Sequence, residues 1–456
     1  MNRTFFFDCA WLPEGWRRRV RVTVHAGMIT AVIHGSEAAA EDVRLSRVVP
    51  GLPNLHSHAF QRAMAGLAER RGPSGADDFW SWREVMYRFL GRIEPDDLET
   101  IATYAYLDML EAGFTSVGEF HYLHRSPQGT LYQNPAELAL RHAAAADTSG
   151  IGLTLLPVFY ESSQFGGAPP TAGQRHFITD RGEFARIVER VRAAVPPSGA
   201  RNCGIAPHSL RAVTAAQLAL LLEEHPHGPV HIHAAEQVKE VADCLACTGQ
   251  RPVEWLLAHA GLDERWCVVH ATHLTDSEIT GLARSGAVAG LCPITEANLG
   301  DGVFPAPAFC AAQGRWGIGT DSHVRLDAAG ELRQLEYSQR LAHRRRNVLA
   351  RTDQASSGTS LFEAALRGGA QALALPVGAI AAGCRADFLE LDDAHPDLAG
   401  RGPELTLDTW VFAVGRSLIR QVIAGGQTVV EHGRHRHRDR IDTAYRRVLG
   451  RLLHAD

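Results

Sequence analysis

The sequence predicts an α/β fold: a (β/α)₈ barrel of the TIM type, with a small discontinuous β-sandwich domain built from both chain ends. Three observations predict it. Eight short apolar, β-rich runs recur through the middle of the chain, helical patterns with start signals separate them, and both ends alternate as half-exposed strands do. The 456 residues, 45% hydrophobic and 21% charged, suffice for one barrel and an annex.

The eight runs are 46–58 (SRVVPGLPNLHSH), 115–120, 152–160, 202–208, 229–235, 266–271, 287–293 and 315–321. They are continuous rather than alternating, as parallel strands covered on both faces must be. Between them, 94–113 reads as a helix ending at Gly113. Thr214 with Gln217, and Thr275 with Glu278, make capping boxes at the starts of two more. At the flanks, 17–33 turns at Ala26-Gly27 and 418–430 at Gly425-Gly426, as hairpins; 385–392 and 409–415 read as further strands. Residues 439–453 have helical spacing. The expected division is 1–48 and 376–456 for the β-sandwich domain, with a C-terminal helix, and 49–375 for the barrel.

Charge and composition exclude several classes. With 46 Lys+Arg against 51 Asp+Glu the formal charge is −5, which argues against a basic nucleic-acid binder. The single lysine, Lys239, leaves almost no room for Schiff-base chemistry or a Walker-type phosphate lysine. No apolar run approaches the ~20 residues of a membrane-spanning helix, and no basic stretch precedes an apolar one at the N-terminus. Eight scattered cysteines do not make a disulfide framework, and the Cys244/Cys247 pair falls in a helix-like stretch. A reduced, cytoplasmic protein without membrane or nucleic-acid partners is expected.

Barrel enzymes carry their chemistry at the C-terminal ends of the strands. Here those ends hold His56 and His58, His208 and Arg211, His233 and Glu236, His270 and His273, and Asp321. His56 and His58 are two apart on a strand and share a face, as two ligands of one metal must. His233 is chosen over His231 because it lies at the strand end, three before Glu236; His231 reads as a core residue. Asp321 closes the last strand, where a buried carboxylate without a cation is costly. Three imidazoles, one carboxylate and a water suit Zn²⁺, and Fe²⁺ or Mn²⁺ also fit. Two other stretches read as bland: HRHR (435–438) as solvated surface, and EANLGDG (296–302) as a loop bent over the site.

HSHAFQR (56–62), APHSLR (206–211), HIHAAEQ (231–237), His270 and His273, CPITEANLGDG (292–302) and GIGTDS (317–322) together resemble the amidohydrolase superfamily, in its aminohydrolase branch. The likeness runs through nearly the whole chain. It implies that His56, His58, His233 and Asp321 bind one zinc, that Glu236, His270 and Asp321 work on the water and the leaving group, and that Gln61, Arg83, Tyr122, His208 and Arg211 hold the substrate. Arg83 and Tyr122 are expected in loops, with Arg62 a further candidate. Many members hold two metals through a carboxylated lysine at the fourth strand end; this chain has none there, so one metal is expected. The narrower features (HAFQR, FWSWRE, EFHYLH, HSLR, TEANLGDG) imply deimination of N-formimino-L-glutamate by a homodimer. That substrate is a small amidine bearing two carboxylates, and arginine is the residue to grip them. Phe60, Trp80 and Trp82 keep a second expectation open, an aminohydrolase of a purine, pterin or triazine-type ring. A non-catalytic scaffold with this fold is a third.

Overall fold

The computed structural model describes residues 2–69, 79–353 and 355–454. The middle of the chain supplies nine strands: β5 (Leu52–Ser57), β6 (Phe114–His121), β7 (Gly152–Phe159), β8 (Arg201–Cys203), β9 (Ala206–Pro207), β10 (Val230–Ala234), β11 (Trp266–His270), β12 (Val288–Leu291) and β13 (Arg315–Ile318); β1 to β4 precede them and are given below. They form two sheets, β5-β6-β7-β8 with β9 beside β7, and β10-β11-β12-β13. Every pairing is parallel. At both margins the sheets touch, through bridges Ser57–Asp321 on one side and Ile205–Val230 and Ser209–His233 on the other. Every residue of β6 and β7 is buried, which is why the runs are unbroken in apolar character. Helices fill the connections, and both expected capping boxes form, with Thr214 accepting from Gln217 N–H and Thr275 from Glu278 N–H.

The first run is two strands rather than one. Val43–Pro50 (β4) belongs to another sheet, and the chain passes Gly51 before β5 begins. Gly51 N–H donates to Asp387 O, just ahead of a strand (Phe388–Leu391) of that other sheet, whereas Leu52 N–H donates to Gly113 O, just ahead of β6. A Cβ at Gly51 would fall inside the Thr115 side chain. Gly51→Ala is therefore expected to lower stability by about 1–3 kcal/mol, as overpacking does, read as a lower urea midpoint at unchanged slope.

The other sheet joins the two chain ends. Its strands are β1 (Asn2–Leu12), β2 (Gly15–His25), β3 (Met28–Ile33), β4, β14 (Phe388–Leu391), β15 (Ile419–Ala424), β16 (Gln427–Glu431) and β17 (Arg434–His435), in the order β17-β16-β15-β14-β4-β1-β2-β3. The β4·β14 pairing is antiparallel and stitches the N-terminal part to the C-terminal part. The hairpin turns fall where expected, Ala26-Gly27 with φ 49° and 81°, Gly425-Gly426 with φ 55° and 73°. Phe5, Phe7 and Phe388 pack edge to face at 5.4 and 5.2 Å.

Two expectations fail at the C-terminal end. Residues 409–415 are not a strand: Thr406–Thr409 and Trp410–Val414 are helical turns. Trp410 and the adjacent Val411 are both wholly buried, which a half-exposed strand with its two-residue period does not permit. Trp410 meets Phe362 edge to face, and Arg333 donates to Val411 O at 3.1 Å. HRHR is only partly solvated: Arg436 is exposed, but its neighbours are not. His435 is buried and meets Ser149 O through Nε2 at 2.9 Å, and Arg438 pairs with Asp108 at 2.6 Å. The C-terminal helix Arg438–His454 lies against helix Pro95–Glu111, with Tyr445 stacked on Tyr104 at 3.8 Å. Among the described residues, no helix is long and apolar enough to cross a membrane, and all eight cysteines are free of disulfides.

Candidate active site

The strand ends converge. His56 lies in β5 and His58 directly follows it; His233 lies in β10, and Asp321 comes three residues after β13. Nε2 of His56 is 3.1 Å from Nε2 of His58 and 3.2 Å from Nε2 of His233. Asp321 Oδ1 is 3.4 Å from His56 Nε2 and 3.2 Å from His58 Nε2. All four ligand atoms lie within 4.8 Å of one another. Asp321 has φ 46° and His270 φ 67°, left-handed backbone that costs about 1–3 kcal/mol per residue and gathers at functional sites.

The hydrogen bonds say what belongs between these atoms. His58 Nδ1 is 2.9 Å from Phe120 O and His233 Nδ1 is 3.1 Å from His208 O. A carbonyl only accepts, so both Nδ1 atoms carry the proton and both Nε2 atoms present lone pairs. Burial pushes His56 down to about 3 and His233 well below its ordinary value, keeping both rings neutral. Facing lone pairs beside a carboxylate repel one another unless a cation lies between them. The donor set, three imidazole nitrogens and a carboxylate oxygen, fits a divalent metal.

Beside this cluster stands a second, made of acids around one imidazole. Glu236 Oε1 is 3.6 Å from His270 Nε2, and its Oε2 is 4.0 Å from Arg211. His270 Nε2 is also 3.8 Å from Asp321 Oδ2, while its Nδ1 is 3.2 Å from Glu296 Oε1. Burial raises the Glu236 carboxyl above its usual range, with His270 and Arg211 opposing. For His270 burial disfavours the charge, but Glu236, Glu296 and Asp321 outweigh it and hold the ring well above its ordinary value. Glu296 was not singled out from sequence. It lies in EANLGDG, whose first four residues belong to a short helix (Pro293–Leu299) while GDG follows as loop, and its carboxylate accepts from Cys292 N–H at 2.8 Å while facing His270. Asp301, from the same stretch, is buried and raised to about 9, burial being the first cause and Glu236 the next.

A cavity opens on both clusters and is lined by Gln61, Arg83, Tyr122, His208 and Arg211, all five residues expected to face a substrate. Gln61 Nε2 donates to Tyr122 OH at 2.8 Å. Arg83 does not sit in a loop: it is on helix Phe79–Leu90, whose Trp82, Met86 and Tyr87 line the same cavity. The i, i+4 spacing of Trp82 and Met86 was the available signal. Tyr122 comes one residue after β6 ends. Arg62 does not line the cavity; it donates to His323 O at 2.9 Å and pairs with Asp108 at 3.0 Å. Tyr160 and Phe177 complete an aromatic wall that sequence reading passed over. Phe60 is buried, and the Trp80 side chain lies outside the described residues. His231 is buried behind the site, its Nε2 2.8 Å from Ala372 O. Lys239 pairs with Asp243 at 2.5 Å, away from the strand ends.

Parallel strands with a metal-ligand cluster at their C-terminal ends define a class. The chain belongs to the amidohydrolase family, whose model matches residues 47–429. It is 51% identical to formimidoylglutamate deiminase of Pseudomonas aeruginosa, over 98% of this chain and 99% of that one. The solved structure of an amidohydrolase from Brucella melitensis is also 51% identical, with a TM-score of 0.94 over 99% of this chain and 100% of that one. An adenosine deaminase from Xanthomonas campestris, solved with bound zinc, shares the fold at a TM-score of 0.81 and 22% identity, over 99% and 98% of the two chains.

Proposed function

We propose that this protein hydrolyses N-formimino-L-glutamate to N-formyl-L-glutamate and ammonia, with one zinc ion held by His56, His58, His233 and Asp321. The observation that carries the reading is the position of Glu236, between the ligand cluster and Arg211, in a cavity that also presents Arg83. The 51% identity to a formimidoylglutamate deiminase along the whole chain supports the same substrate. A divalent cation bound there supplies Lewis acidity and lowers the pKa of a coordinated water.

The residues of the chain do the rest. The reaction adds water to the amidine carbon and breaks its bond to the imino nitrogen, HN=CH–NH–R + H₂O → O=CH–NH–R + NH₃. Glu236 anchors the imino nitrogen and gives it a proton as ammonia leaves. The attacking water gives one proton to Asp321, whose Oδ2 is 3.8 Å from His270 Nε2, and its second as the carbonyl forms; both reach the leaving nitrogen, one of them by way of Glu236. A charged His270 also steadies the tetrahedral centre electrostatically. Gln61, Tyr122 and His208 orient the substrate, and Arg211 and Arg83 grip its carboxylates. Arg211→Met is expected to raise KM for the dicarboxylate by about 30-fold or more, the lower end of the 2–5 kcal/mol lost on truncating a buried charge pair. An unchanged KM in steady-state ammonia release removes Arg211 from the site.

The aromatic wall of Trp82, Tyr122, Tyr160 and Phe177 favours a second reading, an aminohydrolase of a purine, pterin or triazine-type ring. Ammonia release from N-formimino-glutamate, N-formimino-aspartate, guanine, adenosine and cytosine separates the two; release from a ring compound alone overturns the first. We further read the parallel strands as a closed (β/α)₈ barrel within the expected 49–375, its start moved to Gly51 because β4 pairs in the other sheet, with the two chain ends as its β-sandwich annex. The protein would work as a cytoplasmic homodimer, a state that sedimentation tests.

A further inference from the structure

We propose that Glu119, acting through Ser57 and His323, is a positioning residue that holds the metal ligands of β5 and the β13 loop in one register. The inference rests on the metal-site reading above. Ser57 lies between His56 and His58, and its side chain points away from theirs because neighbouring residues on a strand face opposite sides. Behind the ligands its hydroxyl donates to Glu119 Oε2 at 2.5 Å and lies 3.0 Å from His323 Nε2. His323 is two residues past Asp321, and its Nδ1 is 3.0 Å from Thr320 Oγ1, which accepts from Asn54 Nδ2 at 2.7 Å. All five side chains are buried.

With Glu119 ionised, one direction of protons satisfies the whole chain. The Asn54 amide donates to the Thr320 hydroxyl, Thr320 to His323 Nδ1, His323 Nε2–H to Ser57, and Ser57 to Glu119. A carboxylate is the one end that accepts without donating. Glu119 also accepts from Tyr106 OH at 3.1 Å and, through Oε1, from Ala59 N–H at 2.8 Å, so it grips the backbone just beyond His58 as well. Glu119 lies on β6 and so ties β6 to β5, which bears His56, and through Ser57 and His323 to the loop after β13, which bears Asp321. None of these contacts involves a ligand atom facing the metal. The chain therefore sets where the ligands stand, leaving their donor chemistry to them.

The test reads metal retention, not turnover. Full-length parent, Glu119→Gln, Ser57→Ala and the double variant are loaded with zinc and dialysed against graded dipicolinate. Retained zinc is counted by plasma mass spectrometry, and metal-free forms are melted alongside. The expected result is a loss of about 10–100-fold in zinc affinity in each single variant. The double variant should be no weaker than the weaker single, since both cut one hydrogen bond. Metal-free melting temperatures should stay at the parent value. Parental zinc retention in both singles overturns the proposal, and so does a loss that merely follows a fall in the metal-free melting temperature. If Glu119→Gln does not fold, Ser57→Ala decides alone. Because no substrate is present, failure of the ammonia panel leaves this result standing, and failure here leaves the panel standing.

Discussion

Replacing Glu236 with Gln is expected to lower kcat for ammonia release by about 10²–10⁴-fold, the range that one general acid–base group supplies. The substitution keeps the volume but removes the acidic proton and leaves one acceptor oxygen where the carboxylate faces both His270 and Arg211. Burial raises the Glu236 carboxyl, so the acid form persists to higher pH than in an ordinary glutamate. Activity that needs this proton is present below the raised pKa and is lost as pH rises through it. The alkaline limb that Glu236 contributes to the kcat profile should therefore vanish in the variant. Zinc content should stay at the parental level, since Glu236 is outside the four-ligand set. A fall of less than tenfold, with parental metal content and melting temperature, would take Glu236 out of the chemistry.

Stripping the metal with a chelator should abolish turnover, and returning Zn²⁺ should restore it. His56, His58 and His233 aim nitrogens at one another 3.1 to 3.2 Å apart. Without a cation these atoms repel, or His56 and His233 must take up protons that burial disfavours. The metal-free protein should accordingly melt lower; binding at 1,000 times Kd is worth about 4.1 kcal/mol of stability. His233→Ala should behave like the stripped protein and resist rescue by added zinc at the concentrations that restore the parent. A purified protein with no bound metal, unmoved by chelator in both activity and melting, would instead support the scaffold reading.

Much of this site is legible in one dimension because metal chemistry uses few residue types at strand ends. HxH at 56–58, His233 three before Glu236, His270, and Asp321 after GIGT could each be placed once the strands were counted. The five residues expected around the substrate also line the cavity. Glu296 was missed because its stretch, with glycines and acids, looks like a loop. Its role appears only when β11 and the helix Pro293–Leu299 bring its carboxylate within 3.2 Å of His270. Arg83 was set in a loop because its helix begins beside a Pro/Gly-rich stretch, and Arg62 was overvalued because a guanidinium near the active strand looks available until Asp108 is seen to hold it. Glu119 and Ser57 lie inside EFHYLH and HSHAFQR, but neither motif by itself gives them a role.

The sequence by itself determined the alternation of strands and helices, both hairpin turns, the caps and the ligand types. These follow from local rules: which residues tolerate positive φ, which spacing makes one face, and which side chains can bind a metal. Only the tertiary structure decided that 46–58 divides at Gly51, that TWVFAV coils instead of extending, that HRHR is partly buried, and which acids surround His270. Those outcomes depend on partners far along the chain, such as Asp387 for Gly51 and Phe362 for Trp410. A residue's own type and its near neighbours carry no record of such partners, and their packing energy outweighs local preference.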